Sequence, residues 1–322
     1  MPQLIKSGTS LWKVGNNVFR YNSQLTFGSA QSPITTAQGI LSTPRGIAID
    51  YPSTAFPNGR IFITNGGNNT VSILNYSNPT IGATIITTAQ GTFSTCSGIA
   101  IDLPSTSFPN GRIFVSNNGN NTVSVLNYAN PTAGSPVVIT TTQGSFSTPE
   151  GLSVDAAKNR IFVANQGNNT VSILNYTTPT GGSPSIITTT VGSFSGSYRI
   201  ALDISGNRIF VPNFSNNTVS ILNYTTPITG TATVITSTQG AFSSPFDIAI
   251  DSANNRIFVS NLPSSISILN YTNPTVGSPS TITANQGSLN NPFGIAIDTV
   301  SNRIFVVNYS SNTVSIITNN FT

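Results

Sequence analysis

Seven residues with chemically useful side chains interrupt an otherwise repetitive sequence. An apolar segment such as Gly46–Asp50 (GIAID) occurs six times and is predicted to form a strand. Two positions in the loop predicted to enter that strand vary from copy to copy. Those positions hold the two acids that lie outside the repeated pattern, two cations and three aromatic rings. Charged groups and aromatic rings gathered at one place are typical of a ligand site. The predicted ligand-binding residues are Arg45, Glu150, Tyr198, Arg199, Phe246, Asp247 and Phe293.

The same residues allow other interpretations. Arg199 and Asp247 fall in adjacent repeats and could simply neutralise each other, and Glu150 could pair with Arg199 or Arg45. The three aromatic rings could close a channel instead of binding a ligand. A hard cation such as Ca²⁺ could bind Glu150, Asp247 and nearby asparagines, as a metal-dependent hydrolase or lyase would require.

The composition weighs against that enzyme. The chain has no histidine, which removes the commonest general base and metal ligand. We therefore expect a non-catalytic protein without metal or other cofactor, and the metal-dependent hydrolase or lyase is the least favoured alternative.

The elements that must position these residues are repeats. Arg60–Tyr76 reads RIFITNGGNNTVSILNY, and versions of this segment follow at intervals of 47 to 52 residues. A period of this size is typical of a repeat architecture. Each unit contains four short β-branched segments separated by turn residues: Gly46–Asp50, Ile61–Asn65, Thr70–Tyr76 and Thr84–Thr88 in the first copy. Four strands per unit describe one blade of a propeller.

The number of units predicts how the ring closes. The sixth unit, which begins at Phe293, lacks a fourth strand, and the N-terminal segment Ser32–Gly39 matches the missing one. Pairing the two removes both free sheet edges. We predict an all-β, six-bladed β-propeller of four-stranded antiparallel blades, closed by an N-terminal strand that joins the C-terminal blade. Seven blades are the alternative.

Two domains follow from this count. Residues 1–30 form an N-terminal extension with a short hairpin, Leu11–Val14 and Val18–Tyr21, and residues 31–322 form the propeller. The repeated charges fit the scaffold, because each unit places one aspartate at the end of its first strand and one arginine at the start of its second. Asp50 and Arg60 are the first such pair, and we expect these residues to hold turns.

Composition limits the partners. Only 6% of residues are charged, the net charge is +4, and no basic run exists, so nucleic-acid binding is not expected. The single cysteine, Cys96, excludes an internal disulfide and is expected to be packed. No segment is apolar enough for membrane insertion, and the N-terminus lacks the apolar core of a secretory signal.

The repeat resembles those of known propeller families. RIFVxNxxxNTVSILN resembles the YVTN repeat of surface-layer-type propellers, and GIAID followed by such a strand resembles NHL-repeat propellers. The resemblance covers about residues 31–319, although phenylalanine replaces the usual tyrosine of the YVTN motif. It implies a binding or structural role, often extracellular or at the cell surface.

Two functions are favoured over the enzyme. The first is a binding module whose channel rim recognises a carbohydrate or a protein ligand. The second is an assembly subunit of a surface layer, filament or virion that self-associates through the N-terminal hairpin around Trp12.

Overall fold

The chain folds into a ring of six blades. The computed structural model describes residues 10–14, 17–21 and 31–318 of the 322 residues. Each blade is a four-stranded antiparallel sheet, and the innermost strand of each blade packs against the innermost strand of the next around a central channel. The six-bladed propeller is thus confirmed, and the seven-bladed alternative is wrong.

The blades are numbered in chain order from the inside outward. Blade 1 contains β4 (Pro44–Asp50), β5 (Arg60–Asn65), β6 (Thr70–Asn75) and β7 (Thr84–Ile86); blade 2 contains β8 (Cys96–Asp102), β9 (Arg112–Asn117), β10 (Thr122–Asn127) and β11 (Val137–Ile139); blade 3 contains β12 (Pro149–Asp155), β13 (Arg160–Asn165), β14 (Thr170–Asn175) and β15 (Ser185–Ile187). Blade 4 contains β16 (Ala201–Asp203), β17 (Arg208–Asn213), β18 (Thr218–Asn223) and β19 (Thr233–Ile235); blade 5 contains β20 (Pro245–Asp251), β21 (Arg256–Asn261), β22 (Ser265–Asn270) and β23 (Ser280–Thr283). Blade 6 contains β24 (Pro292–Asp298), β25 (Arg303–Asn308), β26 (Thr313–Thr318) and the N-terminal strand β3 (Gln31–Ile34).

The ring closes where the sequence predicts. Strand β3 pairs antiparallel with β26, with Ile34 opposite Val314. The Ile34 side chain is fully buried and packs in an apolar cluster shared by blades 6 and 1. An N-terminal strand thereby completes a sheet that is otherwise made from the C-terminus.

The core lies between the blades. The second strand of each blade is rich in β-branched residues and phenylalanine. Its central side chains are buried on both faces of the sheet, as Phe62 and Ile63 illustrate. Each apolar cluster combines residues of two neighbouring blades, so no blade buries its own surface alone. This packing explains why the strands contain nearly continuous apolar runs.

The fourth strands are shorter than predicted. Strand β7 ends at Ile86, and a single helical turn, α2 (Thr88–Gly91), follows it. The turn begins with a capping box in which Thr87 and Gln90 satisfy each other's backbone donors. The prediction that this strand extends to Thr88 is wrong, because Thr87 caps the helical turn instead. Equivalent turns are α1 (Thr36–Gly39), α3 (Thr141–Gly144), α4 (Thr189–Gly192), α5 (Ser237–Gly240) and α6 (Ala284–Gly287).

The repeated aspartate and arginine are structural, as predicted. The Arg60 Nε donates to Asp50 over 2.9 Å, and the Tyr128 hydroxyl of blade 2 donates to the same carboxylate. The Arg60 Nη1 also donates to the Tyr128 carbonyl over 3.0 Å. This set of contacts, which we call the inter-blade latch, joins a turn in one blade to the third strand of the next. Sequence analysis did not predict the tyrosine.

The N-terminal hairpin is confirmed as a two-stranded sheet. Strands β1 (Ser10–Val14) and β2 (Asn17–Tyr21) pair antiparallel with each other, and among the described residues neither joins a blade. The domain boundary at residue 30 and a role of the hairpin in self-association stay predictions.

Candidate functional site

Five of the seven predicted site residues lie inside the innermost strands, so the prediction that they occupy a loop before those strands is wrong for them. Tyr198 and Arg199 do precede the regular strand of their blade. In five blades the pairing of the first strand with the second shifts register near its start, as between Pro44 and Ile47 in blade 1. Such an irregularity leaves residues unpaired and redirects their side chains. Blade 4 departs further, because its regular innermost strand begins only at Ala201.

Two consecutive positions in each irregular segment form two levels around the channel. The upper level is occupied by Arg45, Ser97, Glu150, Tyr198, Phe246 and Phe293. The lower level is occupied by Gly46, Gly98, Gly151, Arg199, Asp247 and Gly294.

The glycines of the lower level allow the innermost strands to approach one another. A Cβ atom on Gly151 would lie 2.6 Å from the Arg199 Cα, and one on Gly294 would lie 2.6 Å from the Arg45 carbonyl oxygen. Neither contact is sterically tolerable, so these positions require glycine. Only blades 4 and 5 place side chains at this level.

Aromatic rings fill half of the upper level. Tyr198 stacks on Phe246 with ring centroids 4.3 Å apart, and Phe246 stacks on Phe293 at 4.0 Å. Tyr309, from the turn after β25, stacks on Phe293 at 4.3 Å, and Phe214 meets Tyr198 edge to face. These five residues form a continuous row across blades 4 to 6, which we call the aromatic arc.

Charged and polar groups fill the other half. The Glu150 carboxylate is buried, lies 3.6 Å from the Arg45 Nη1, and accepts hydrogen bonds from Ser97 and Asn118. We call Arg45, Ser97 and Glu150 the polar arc. Arg45 also lies over the Tyr309 ring at 5.7 Å and so links the polar arc to the aromatic arc. The small side chain of Ser97 leaves the path between Arg45 and Glu150 open.

The two levels face two different cavities. An outer cavity of about 300 Å³ opens on the face that carries the turns between second and third strands. It is lined by Arg45, Glu150 and the aromatic arc. A channel cavity of about 430 Å³ lies below and is lined by the lower level and the innermost strands as far as Ile204. Among the residues that the structure describes, none lines both cavities.

Arg199 and Asp247 lie in the channel cavity. The Arg199 Nε is 3.9 Å from the Asp247 Oδ2, and the Arg199 Nη1 is 3.8 Å from the Glu150 Oε2. The predicted pairings of Arg199 with Asp247, and of Glu150 with both arginines, are therefore confirmed as ion pairs. Burial lowers the pKa of Arg199, although Asp247 and Glu150 oppose that shift. Burial likewise raises the pKa of Asp247 against the effect of Arg199 and two backbone N–H groups.

The structure thus divides the seven predicted residues into two groups. Arg45, Glu150, Tyr198, Phe246 and Phe293 surround the outer cavity, whereas Arg199 and Asp247 face the channel. Phe246 is only 2% exposed, so it supports its neighbouring rings more than it offers contact surface. Five further residues line the outer cavity and were not among the predicted site residues. All five lie in or next to the turn after a second strand, where variation between repeats was the signal: Asn118, Gln166, Phe214, Leu262 and Tyr309.

The described ranges contain no group of three or more histidine, cysteine, aspartate or glutamate side chains arranged to hold a metal ion. Glu150 and Asp247, the predicted cation ligands, face different cavities. Cys96 is fully buried, and burial raises the pKa of its thiol to about 12. Within the part of the chain that is described, no helix is long and apolar enough to cross a membrane.

Comparisons with known proteins support the fold. No protein-family model matches the sequence, and no curated protein matches it. The YVTN and NHL resemblance therefore stays a prediction. Solved structures do match, among them a nidogen/laminin complex at 13% identity and a TM-score of 0.61, covering 77% of this chain and 86% of that one.

Two other similar structures come from bacteria. Hydrazine synthase of Kuenenia stuttgartiensis matches at 15% identity and a TM-score of 0.59, over 89% of this chain and 79% of that one. A protein of unknown function from Bacteroides thetaiotaomicron matches at 13% identity and a TM-score of 0.61, over 98% of this chain and 82% of that one. At these identities the similarity concerns the propeller fold alone.

Proposed function

We propose that this chain is a non-catalytic binding module whose outer cavity holds a short segment of another protein. The observation that supports this function is the division of the cavity lining. One half is the aromatic arc, and the other half is the polar arc of Arg45, Ser97 and Glu150. Apolar surface beside a few directed polar groups is the usual lining of a binding site.

Arg45 provides the directed polar group. Its side chain is 18% exposed, and the 3.6 Å between its Nη1 and the Glu150 Oε1 exceeds the length of a hydrogen bond. A backbone carbonyl or a carboxylate of the ligand would be a suitable acceptor. A neighbouring apolar side chain could then contact the ring edges of Tyr198 and Phe293. A cavity of about 300 Å³ suits one or two residues of a bound chain.

The geometry of the aromatic arc favours a peptide over a carbohydrate. Both faces of Phe246 are covered by the rings of Tyr198 and Phe293, and both faces of Phe293 are covered by Phe246 and Tyr309. A sugar binds best by laying its ring on an open aromatic face, and these rings present edges instead. The partial positive charge of ring edges favours carbonyl oxygens.

The same proposal includes two further statements: the protein is not an enzyme, and it is located outside the cell. Glu150 is engaged by Arg45, Arg199 and Ser97, which leaves it poorly suited to act as a general base. A location at the cell surface is inferred only from the resemblance of the repeat to surface-layer-type propellers.

A peptide library tests the proposed site. The wild-type protein would be used to select from a random peptide phage library, and the enriched peptides would be titrated against Tyr198→Ala and Arg45→Gln variants. We expect each variant to bind at least tenfold more weakly. Tyr51→Ala is the matched control, because Tyr51 is a partly exposed aromatic residue that does not line the cavity.

Two results would contradict the proposal. One is a failure of the library to yield any peptide whose binding Tyr198→Ala weakens more than Tyr51→Ala does. The other is a glycan array on which binding depends on Tyr198, which would assign the cavity to carbohydrates.

A further inference from the structure

The pair formed by Arg199 and Asp247 is not explained by the outer cavity. Both residues occupy the lower level, where the other four blades have glycine, and both line the channel cavity of about 430 Å³. Arg199 is 4% exposed. Two opposite charges have thus been placed side by side in the wall of the channel.

The pair is close enough to be attractive but is not hydrogen-bonded. The 3.9 Å between the Arg199 Nε and the Asp247 Oδ2 exceeds the length of a hydrogen bond. The Arg199 Nη1 donates to the Ser97 Oγ over 3.1 Å, whereas the buried Nη2 has no partner among the residues described. A buried guanidinium donor without an acceptor is costly, so the site lacks one acceptor.

Asp247 also has unused capacity. Its Oδ1 accepts the Ile248 N–H over 2.8 Å, and its Oδ2 accepts the Ile295 N–H over 3.0 Å. An ionised carboxylate has about four acceptor positions, so both oxygens can accept another donor. These two bonds hold the carboxylate in place and keep it directed along the channel wall.

The surrounding charges set the charge of a matching ligand. Glu150 lies behind Arg199, and Arg45 lies beyond Glu150, so the four ionised groups sum to zero. A ligand with a single charge would satisfy either Arg199 or Asp247 and repel the other. A zwitterion with a carboxylate and an ammonium group would satisfy both.

The channel gives such a ligand a route. The lining extends from the lower level to Ile204, a residue that is 53% exposed at the opposite face of the ring. The regular innermost strand of blade 4 is reduced to Ala201–Asp203, so Arg199 precedes it. Entry from the face that carries Ile204 does not require the outer cavity.

We propose that the central channel binds a free α-amino acid as its zwitterion, with the carboxylate on the Arg199 guanidinium and the ammonium on Asp247. This site is separate from the outer cavity and independent of the peptide ligand proposed there. The cavity has room for an amino acid side chain beyond the two charged groups, directed along the aliphatic wall formed by Leu202 and Ile250.

Selectivity of the intact protein is the first test. Binding of glycine, acetate, methylammonium and glycinamide would be compared by isothermal titration calorimetry and saturation-transfer NMR. We expect glycine to bind at least tenfold more tightly than any of the three compounds that lack one of its charges. Equal binding of acetate, or no binding of glycine and of larger amino acids, would overturn the proposal without any variant.

Substitutions provide the second test. Arg199→Gln and Asp247→Asn should each weaken glycine binding at least tenfold, while circular dichroism confirms that they fold. Lys158→Gln is the matched control, because Lys158 is a charged residue that lines neither cavity. Glycine binding that survives both channel substitutions would also overturn the proposal. Loss of peptide binding in Tyr198→Ala with glycine binding retained would show that the two sites are separate.

Discussion

At the scale of single residues, charge serves two different purposes. In the repeated pair of Arg303 with Asp298, the two side chains are hydrogen-bonded at 2.9 Å, and the Tyr76 hydroxyl of the next blade donates to the same carboxylate. The Arg199 Nε and the Asp247 Oδ2 are 3.9 Å apart, which is too far for a hydrogen bond. The first arrangement stabilises the ring, and the second is suited to a ligand that completes it.

The two kinds of aspartate should respond oppositely to pH. Burial alone would raise the pKa of Asp298, but hydrogen bonds from Ser301, Tyr76 and Arg303 lower it overall. Its carboxylate therefore stabilises the fold above the unfolded-state pKa of about 3.9, and that stability is lost as pH falls through the lower folded-state value. Asp298→Asn should cost about 1–3 kcal/mol at pH 7, and the difference from wild type should shrink below about pH 4.

Asp247 is the internal comparison for this measurement. Its folded-state pKa is raised, chiefly by burial, so its contribution to stability is present below the unfolded-state value and is lost as pH rises through the folded-state value. Wild type should therefore gain stability relative to Asp247→Asn as pH falls. Urea unfolding at several pH values measures both differences, and slopes of the same sign for the two variants would contradict the assignment.

At the scale of secondary-structure elements, the irregular starts of the innermost strands create both sites. The register shift places consecutive residues at two levels, one facing each cavity. Glycine at the lower level allows neighbouring strands to approach, so the ring is tight in blades 1 to 3 and 6. The sites depend on this spacing because Arg199 and Asp247 occupy the remaining gap.

Gly151 tests that spacing. Alanine there would place a Cβ 2.6 Å from the Arg199 Cα and 2.8 Å from the Tyr198 carbonyl oxygen, so Gly151→Ala should destabilise the protein by about 1–3 kcal/mol. Gly82→Ala is the control, because a Cβ on Gly82 would meet nothing within 4 Å. That change should be neutral or stabilising by up to about 1 kcal/mol. Thermal unfolding compares the two variants, and equal losses would refute the role of close approach.

At the scale of the whole molecule, stability depends on closing the ring. Each blade buries its surface only against its neighbours, so an incomplete blade would expose core on both sides of a junction. Strand β3 is the element that prevents this, since it covers the outer edge of β26.

Truncation should reveal the importance of this strand. A chain that begins at residue 31 retains β3 and should unfold as the full-length protein does. A chain that begins at residue 35 loses β3 and the buried Ile34, which alone should cost about 2–5 kcal/mol and expose an edge prone to aggregation. Differential scanning calorimetry with light scattering measures both effects. An unchanged melting temperature for the shorter chain would contradict the proposed closure.

The sequence alone determined the architecture of the propeller. The period of the arginines, the four apolar segments per unit and the orphan N-terminal strand are local patterns, and each has one structural solution that buries the apolar residues and leaves no free edge. Variation at two positions of the repeat identified seven residues near the channel, because residues needed only for packing recur in every copy.

Only the tertiary structure decided how those seven residues are used. Whether Asp247 faces the same cavity as Arg45 depends on a shift in strand register, and a shift of one residue reverses the direction of a side chain. The stacking of Phe246 between two rings likewise depends on the distance between blades, which glycines elsewhere in the ring determine. The spacing of residues in the sequence encodes neither the strand register nor the distance between blades. The division into an outer cavity and a channel is therefore visible only in the closed ring.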